Sequence, residues 1–156
     1  MELKTKVSGE EGSQQIIISR EFDLPVKQLF KAYTEPELIE QWMDTKVLKL
    51  ENKRHGSFQF ETTDSKGNKH GFNGTIHDLV ENQKITRTFE IECTNFPVQL
   101  EFIDFEEVTP DTSKLTMRIV FRATQDKDNM LNIPFEQGIN KAYDRLQKIC
   151  DKLLNI

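Results

Sequence analysis

Arg20 and Arg87 are the two side chains whose placement asks for chemistry. Arg20 lies in Gln15-Ile16-Ile17-Ile18-Ser19-Arg20-Glu21-Phe22, a β-branched run that reads as a strand. It shares strand parity with Ile16, Ile18 and Phe22, as Arg87 does with Ile85, Phe89 and Ile91. Alternation of side chains turns both arginines toward the apolar face. A guanidinium there must meet an anion or several acceptors, because unpaired burial is costly. Three arrangements satisfy it: a ligand carboxylate or oxygen, a buried structural pair with an Asp or Glu, or snorkelling at the sheet rim.

The remaining reactive residue types do not assemble into a known chemistry. His55, His70 and His77 are scattered over turns and strands, without the His-x-x-x-His spacing that places two ligands on one helical face. Gly71-Phe72-Asn73-Gly74 is too short for a phosphate loop, and no Gly-x-Ser-x-Gly elbow is present. Cys93 and Cys150 lack a local nucleophile signature and fall in different elements, which reads as two reduced, packed thiols. The carboxylates of Glu101, Asp104, Glu106 and Glu107 read as solvated surface. No catalytic residue, metal ligand or cofactor is assigned.

The elements that must position the arginines follow from periodicity. Residues 1–13 are polar and glycine-bearing and read as a loose arm or a weak edge strand, leaving 14–156 as a single domain. After the first strand, Pro25 suits a first helical turn, and Val26, Leu29, Phe30 and Tyr33 recur at helical spacing. Thr34-Glu35-Pro36-Glu37 has capping-box spacing and opens a second short helix with Leu38, Ile39, Trp42 and Met43 on its apolar face. From Lys46 to Thr124 the pattern is strand and turn. Phe58 and Phe60 share one face, Val98 to Phe102 alternates, and Leu115, Met117, Ile119, Phe121 and Ala123 share a face of the last strand. Hairpin-length turns make this an antiparallel meander. Pro134 begins a long helix whose stripe is Phe135, Ile139, Ala142, Leu146, Ile149 and Leu153. At 1.5 Å per residue, 134–154 spans about 32 Å and must lie across the sheet. The fold class is α+β: a curved antiparallel sheet of six or seven strands wrapped on a long C-terminal helix, with two short helices after the first strand.

Composition bounds the partner. With 156 residues the chain is about one domain long. Lys and Arg number 21 against 26 Asp and Glu, a net charge of −5, which argues against nucleic acid. No apolar run is long enough to insert into a membrane. Met1-Glu2-Leu3-Lys4-Thr5-Lys6 lacks the apolar core of a secretory signal, so a cytoplasmic location is expected. Eleven Phe stand against one Trp and two Tyr. Phe brings large apolar area without a polar handle, which suits a core or an apolar pocket.

Several motifs resemble a known family. Arg20-Glu21-Phe22-Asp23-Leu24-Pro25, Val26, Leu29-Phe30-Lys31-Ala32-Tyr33-Thr34-Glu35-Pro36-Glu37-Leu38 and Trp42 carry the resemblance. Phe72, Gly74, Ile85, Thr88-Phe89-Glu90, Asp128-Asn129-Met130, Gly138 and Tyr143-Asp144-Arg145-Leu146 continue it. The chain is similar to the SRPBCC (START-like, helix-grip) superfamily, and within it to homologues of the activator of the heat-shock-protein-90 ATPase. It departs from the family at Arg54-His55-Gly56-Ser57, which lacks a second Gly, and at Gly138-Ile139, where many members have Gly-Trp. The resemblance implies a cavity between sheet and long helix suited to a hydrophobic or amphipathic small molecule. It does not imply one activity, since relatives include lipid carriers, receptors, cyclases and a chaperone-activating domain.

The expected function is therefore non-enzymatic binding of such a molecule. The alternatives are a protein-interaction module serving a chaperone or another protein, and a cyclase- or hydrolase-type enzyme. The expected ligand-binding residues are Arg20 and Arg87, Trp42 at the cavity mouth, and Phe58, Phe60, Phe89, Phe102, Phe121 and Phe135 along the walls. Met117 and Ile139 complete the set. The same Phe residues could equally close a dry core.

Overall fold

The computed structural model describes residues 4–154. Its elements are β1 (Lys6–Ser8), β2 (Gln15–Phe22), α1 (Val26–Thr34), α2 (Pro36–Trp42), β3 (Lys46–Leu50), β4 (Ser57–Thr63), β5 (Lys69–Val80), β6 (Lys84–Ile91), β7 (Gln99–Thr109), β8 (Thr112–Val120), α3 (Thr124–Asn132) and α4 (Phe135–Leu154). The strands form one eight-stranded sheet in the order β1-β2-β8-β7-β6-β5-β4-β3. Every neighbouring pair is antiparallel. The architecture is the expected helix-grip type, with eight strands rather than six or seven.

The additional strand comes from the N-terminal arm. Lys6, Val7 and Ser8 pair with Ser19, Ile18 and Ile17 at the sheet edge. Farther along, the Glu10 carbonyl accepts a hydrogen bond of 2.8 Å from Lys127 Nζ. Of the two readings of the arm, the weak edge strand matches Lys6–Ser8; residues 1–3 of the arm, and 155–156 at the other end, lie outside the described residues.

Alternation explains the inner face of the sheet. Ile16, Ile18, Arg20 and Phe22 of β2 are buried, and so are Leu115, Met117 and Ile119 of β8. The register aligns one inward row across five strands: Ile16 opposite Ile119, Ile119 opposite Glu101, Glu101 opposite Arg87, and Arg87 opposite Ile76. Gly74 sits opposite Phe58, and a Cβ there would collide with the Phe58 ring and the Thr88 carbonyl oxygen. Glycine lets the strands approach next to the β5–β6 bulge between Ile76 and Asp78.

The helices depart from expectation in three places. Thr34 does not cap α2. It is still the last residue of α1, and its hydroxyl donates to the Phe30 carbonyl at 3.0 Å. Glu35 takes the cap position with Pro36 just inside. Second, residues 124–132, between the strand region that ends at Thr124 and the helix that begins at Pro134, form a further helix, α3. Its sequence Thr-Gln-Asp-Lys-Asp-Asn-Met-Leu-Asn has almost no apolar stripe, and it is held by buried Met130 and by Lys127, whose Nζ also meets Asp128 at 2.9 Å. Third, the buried line of α4 is Tyr143, Leu146 and Cys150, while Leu153 is 45% exposed. Cys150 is packed, and burial pushes its thiol up; Cys93, by contrast, lies exposed in a turn with φ 59°.

α4 is fastened to the rest of the fold at several points. Arg20 Nη2 pairs with Asp144 at 2.8 Å, and its Nη1 reaches Thr5 Oγ1 at 3.1 Å and the Asn140 carbonyl at 3.3 Å. Gln147 accepts from the Asp23 amide at 3.0 Å, and Arg145 Nε donates to the Trp42 carbonyl at 3.0 Å. Among the described residues, no helix is long and apolar enough to cross a membrane.

Candidate functional site

The main core closes around Leu146 and Cys150, but it does not close around the first half of α4. Phe135, Ile139 and Ala142 are only partly buried. They face the inner side of β6, β7 and β8 across a recess of about 320 Å³. Phe89 and Ile91 come from β6, and Met117 and Ile119 from β8. Trp42 and Met43 border it at the end of α2, and Met130 and Ile133 reach it from α3 and the connection to α4. The Trp42 indole donates to the Ala32 carbonyl at 2.7 Å, so its polar tip is satisfied and its ring face is left for apolar contact.

Polar groups enter this wall at one spot. Arg87 donates from Nε to Glu101 Oε1 at 2.8 Å, and Gln99 Nε2 donates to Glu101 Oε2 at 2.8 Å. Arg87 is 8% exposed and Glu101 4%. The guanidinium carbon lies 5.1 Å from the centre of the Phe58 ring, 5.5 Å from that of Phe89 and 5.9 Å from that of Tyr33. Three aromatic faces and one carboxylate therefore compensate its lost hydration. Tyr33 and Tyr143 hydroxyls hydrogen-bond to each other at 2.8 Å, and both tyrosines border the recess.

Six of the eleven residues expected to bind ligand meet here: Trp42, Arg87, Phe89, Met117, Phe135 and Ile139. Five do not. Arg20 is buried at the junction of β2 with α4, where Asp144 and Thr5 engage it, so it is a structural anchor. Phe58 and Phe60 pack with Ile39 and Ile76 in a second, separate cluster. Phe121 is buried in the main core just past β8 and does not border the recess. Phe102 points to the opposite face of the sheet, where Arg118 stacks 4.9 Å over its ring. Its neighbours in sequence explain this. Gln99, Glu101, Ile103 and Phe105 are the buried parity of β7, so Phe102 must face outward. For the same reason Glu101 is buried and paired, not solvated surface. The one clue in the sequence is Arg87 itself: an inward arginine that meets no ligand and does not reach the rim needs an inward acid, and parity does not say where that acid lies. The tyrosine pair carries no such clue, because its two members come together only through the packing of α1 on α4.

The tyrosines have a measurable signature. Burial, reinforced by the nearby Tyr143, pushes the Tyr33 phenol well above its ordinary value; burial is also the main cause of the rise at Tyr143. An unfolded phenol ionises near ~10. Above that pH the unfolded chain releases protons that the folded chain keeps, so stability falls as pH rises toward the folded values. Below ~10 both states hold the proton and this contribution is constant. These are the only two tyrosines in the sequence. Tyrosinate absorbance is therefore expected to appear only together with loss of the native circular-dichroism signal in an alkaline titration. Tyrosinate formation near pH ~10 with native structure intact would contradict their burial.

The comparisons with known proteins agree with this architecture. The sequence profile described as Activator of Hsp90 ATPase homolog 1-like protein matches residues 23–151. A crystal structure of a Mycobacterium smegmatis protein is similar with a TM-score of 0.82 at 17% identity, covering 93% of this chain and 95% of its own. A solution structure from Arthrobacter aurescens gives 0.86 at 15% identity over 94% and 91%. Another from Staphylococcus epidermidis gives 0.80 at 21% identity over 94% of each chain. Identities this low establish the shared fold alone. No curated protein matches the sequence.

Proposed function

We propose, given that the chain belongs to the Activator of Hsp90 ATPase homolog 1-like family, that it is a non-enzymatic binding protein for a hydrophobic or amphipathic small molecule. The observation that carries this reading is the incomplete closure of α4 over the sheet. Phe135, Ile139 and Ala142 belong to an apolar helical face, yet they are only partly buried: they pack against the edge of the core and also border the recess. Ligand pockets are typically ~300–1,000 Å³. At about 320 Å³ the recess is at the small end of that range. An apolar cavity of ~150 Å³ holds one benzene, so the volume suits a two-ring or short-chain molecule.

The polar groups support binding over catalysis. Arg87 and Glu101 are engaged with each other, and the two phenols stay protonated at neutral pH, where they are hydrogen-bond donors and not nucleophiles. The alternative, a module that binds another protein, draws its support from the family description; no feature of the recess asks for a protein partner.

Native mass spectrometry of the full chain, before and after exposure to a cellular small-molecule extract, tests the proposal. An added mass released under denaturing conditions is the expected result. Ala142→Phe fills the recess and is expected to remove that mass while the protein stays folded. A wild-type protein that never carries a small molecule would contradict the reading.

A further inference from the structure

We infer that the ligand presents a neutral hydrogen-bond acceptor, such as a ketone or ester carbonyl, to Arg87 and the tyrosine pair, and that it is not a carboxylate. This rests on the small-molecule reading above and specifies its chemical class. Two observations carry it, one of charge and one of hydrogen-bond count.

The charge at the polar spot is already balanced. Arg87 and Glu101 pair at 2.8 Å with side chains 10% and 5% exposed. A ligand carboxylate would add an uncompensated negative charge within reach of Glu101 in a poorly hydrated wall, which is unfavourable. A neutral oxygen adds none.

The hydrogen-bond count leaves donors over. Among the described residues, Glu101 is the sole acceptor that Arg87 meets, and only Nε reaches it. The two terminal nitrogens of the guanidinium are without an acceptor, and they are not among the fully buried atoms that lack a partner. Arg87 itself borders the recess and keeps 8% of its surface exposed. The tyrosine hydroxyls share one hydrogen between them, and the hydrogen of the accepting phenol has no protein acceptor among the described residues. Against these donors stands one side-chain acceptor without a donor, Gln99 Oε1, in a residue whose amide nitrogen is committed to Glu101. A carbonyl oxygen accepts from the surplus donors and brings no further donor to satisfy.

Three two-ring probes separate the possibilities: benzophenone, diphenylmethane and diphenylacetate, titrated calorimetrically into the full chain at neutral pH. Benzophenone is expected to bind about tenfold or more tighter than either of the others, the range for a hydrogen bond to a charged donor. In Arg87→Met with Glu101→Gln, where the charges leave together, that preference is expected to fall most of the way, because the tyrosine pair is the one donor left. Equal affinity of benzophenone and diphenylmethane, tighter binding of diphenylacetate, or a preference undiminished in the double variant would overturn the inference and leave the recess as a binding site. Binding of none of the three would overturn both the inference and the reading beneath it.

Discussion

Leu146→Asp is expected to abolish the cooperative urea transition, and Leu146→Ala to lower stability by about 2–5 kcal/mol. Leu146 is completely buried, at the centre of the line Tyr143, Leu146 and Cys150. Helix formation is costly to nucleate, so most helical stability in a protein comes from packing of an apolar face. Removing the Leu side chain loses its transfer energy and leaves a cavity that neighbours refill only in part. A carboxylate there adds the cost of burying a charge without a partner. Lys148 is exposed, two residues from Leu146 and so on the opposite side of the helix, and Lys148→Ala is expected to change stability by no more than about 0.5 kcal/mol. Urea midpoints of the three variants measure the contrast. A Leu146→Ala protein that melts like wild type would mean that α4 does not grip the sheet.

Arg87→Met is expected to destabilise by about 3–5 kcal/mol, because it leaves Glu101 buried without its cation. The Met side chain fills much of the space along the stem, so the loss is electrostatic more than steric. Gln99 alone cannot compensate, since its amide satisfies one carboxylate oxygen only. Adding Glu101→Gln removes the stranded charge and keeps an acceptor for Gln99. Replacing a buried ion pair as a unit is often close to neutral, so the double variant is expected to recover most of the lost stability. If Arg87→Met and the double variant melted at the same urea concentration, the pair would not be coupled.

The two arginines show how far the sequence reaches. Their inward direction follows from parity alone, because Ile16, Ile18 and Phe22, and Ile85 and Phe89, leave no other choice of face. Their partners do not follow, because Asp144 and Glu101 are brought to them by helix docking and strand register. β7 is ambiguous for a related reason. Leu100 and Phe102 on one parity compete with Ile103 and Phe105 on the other, and only the pairing of Glu101 with Arg87 decides between them. α3 has no signal in the sequence, because Met130 and the buried stem of Lys127 hold it and neither produces a periodic stripe. The long helix was legible over its middle. Its last turn was not, because Leu153 continues the spacing but runs past the sheet and stays exposed. The recess is the least legible feature. The same Phe-rich strands would serve a dry core, and what opens the space is the partial docking of Phe135, Ile139 and Ala142.

Methyl-resolved nuclear magnetic resonance during a benzophenone titration tests most directly whether a small molecule occupies that space. The methyl groups of Met117, Ile119, Met130 and Ile139 border the recess and are expected to shift together along one binding curve. Those of Ile16 and Leu24, buried in the main core but not at its border, are expected to stay in place. Shifts confined to exposed Leu48, Leu153 and Leu154, or no saturable shift at any of the four recess methyls, would contradict binding between the sheet and α4.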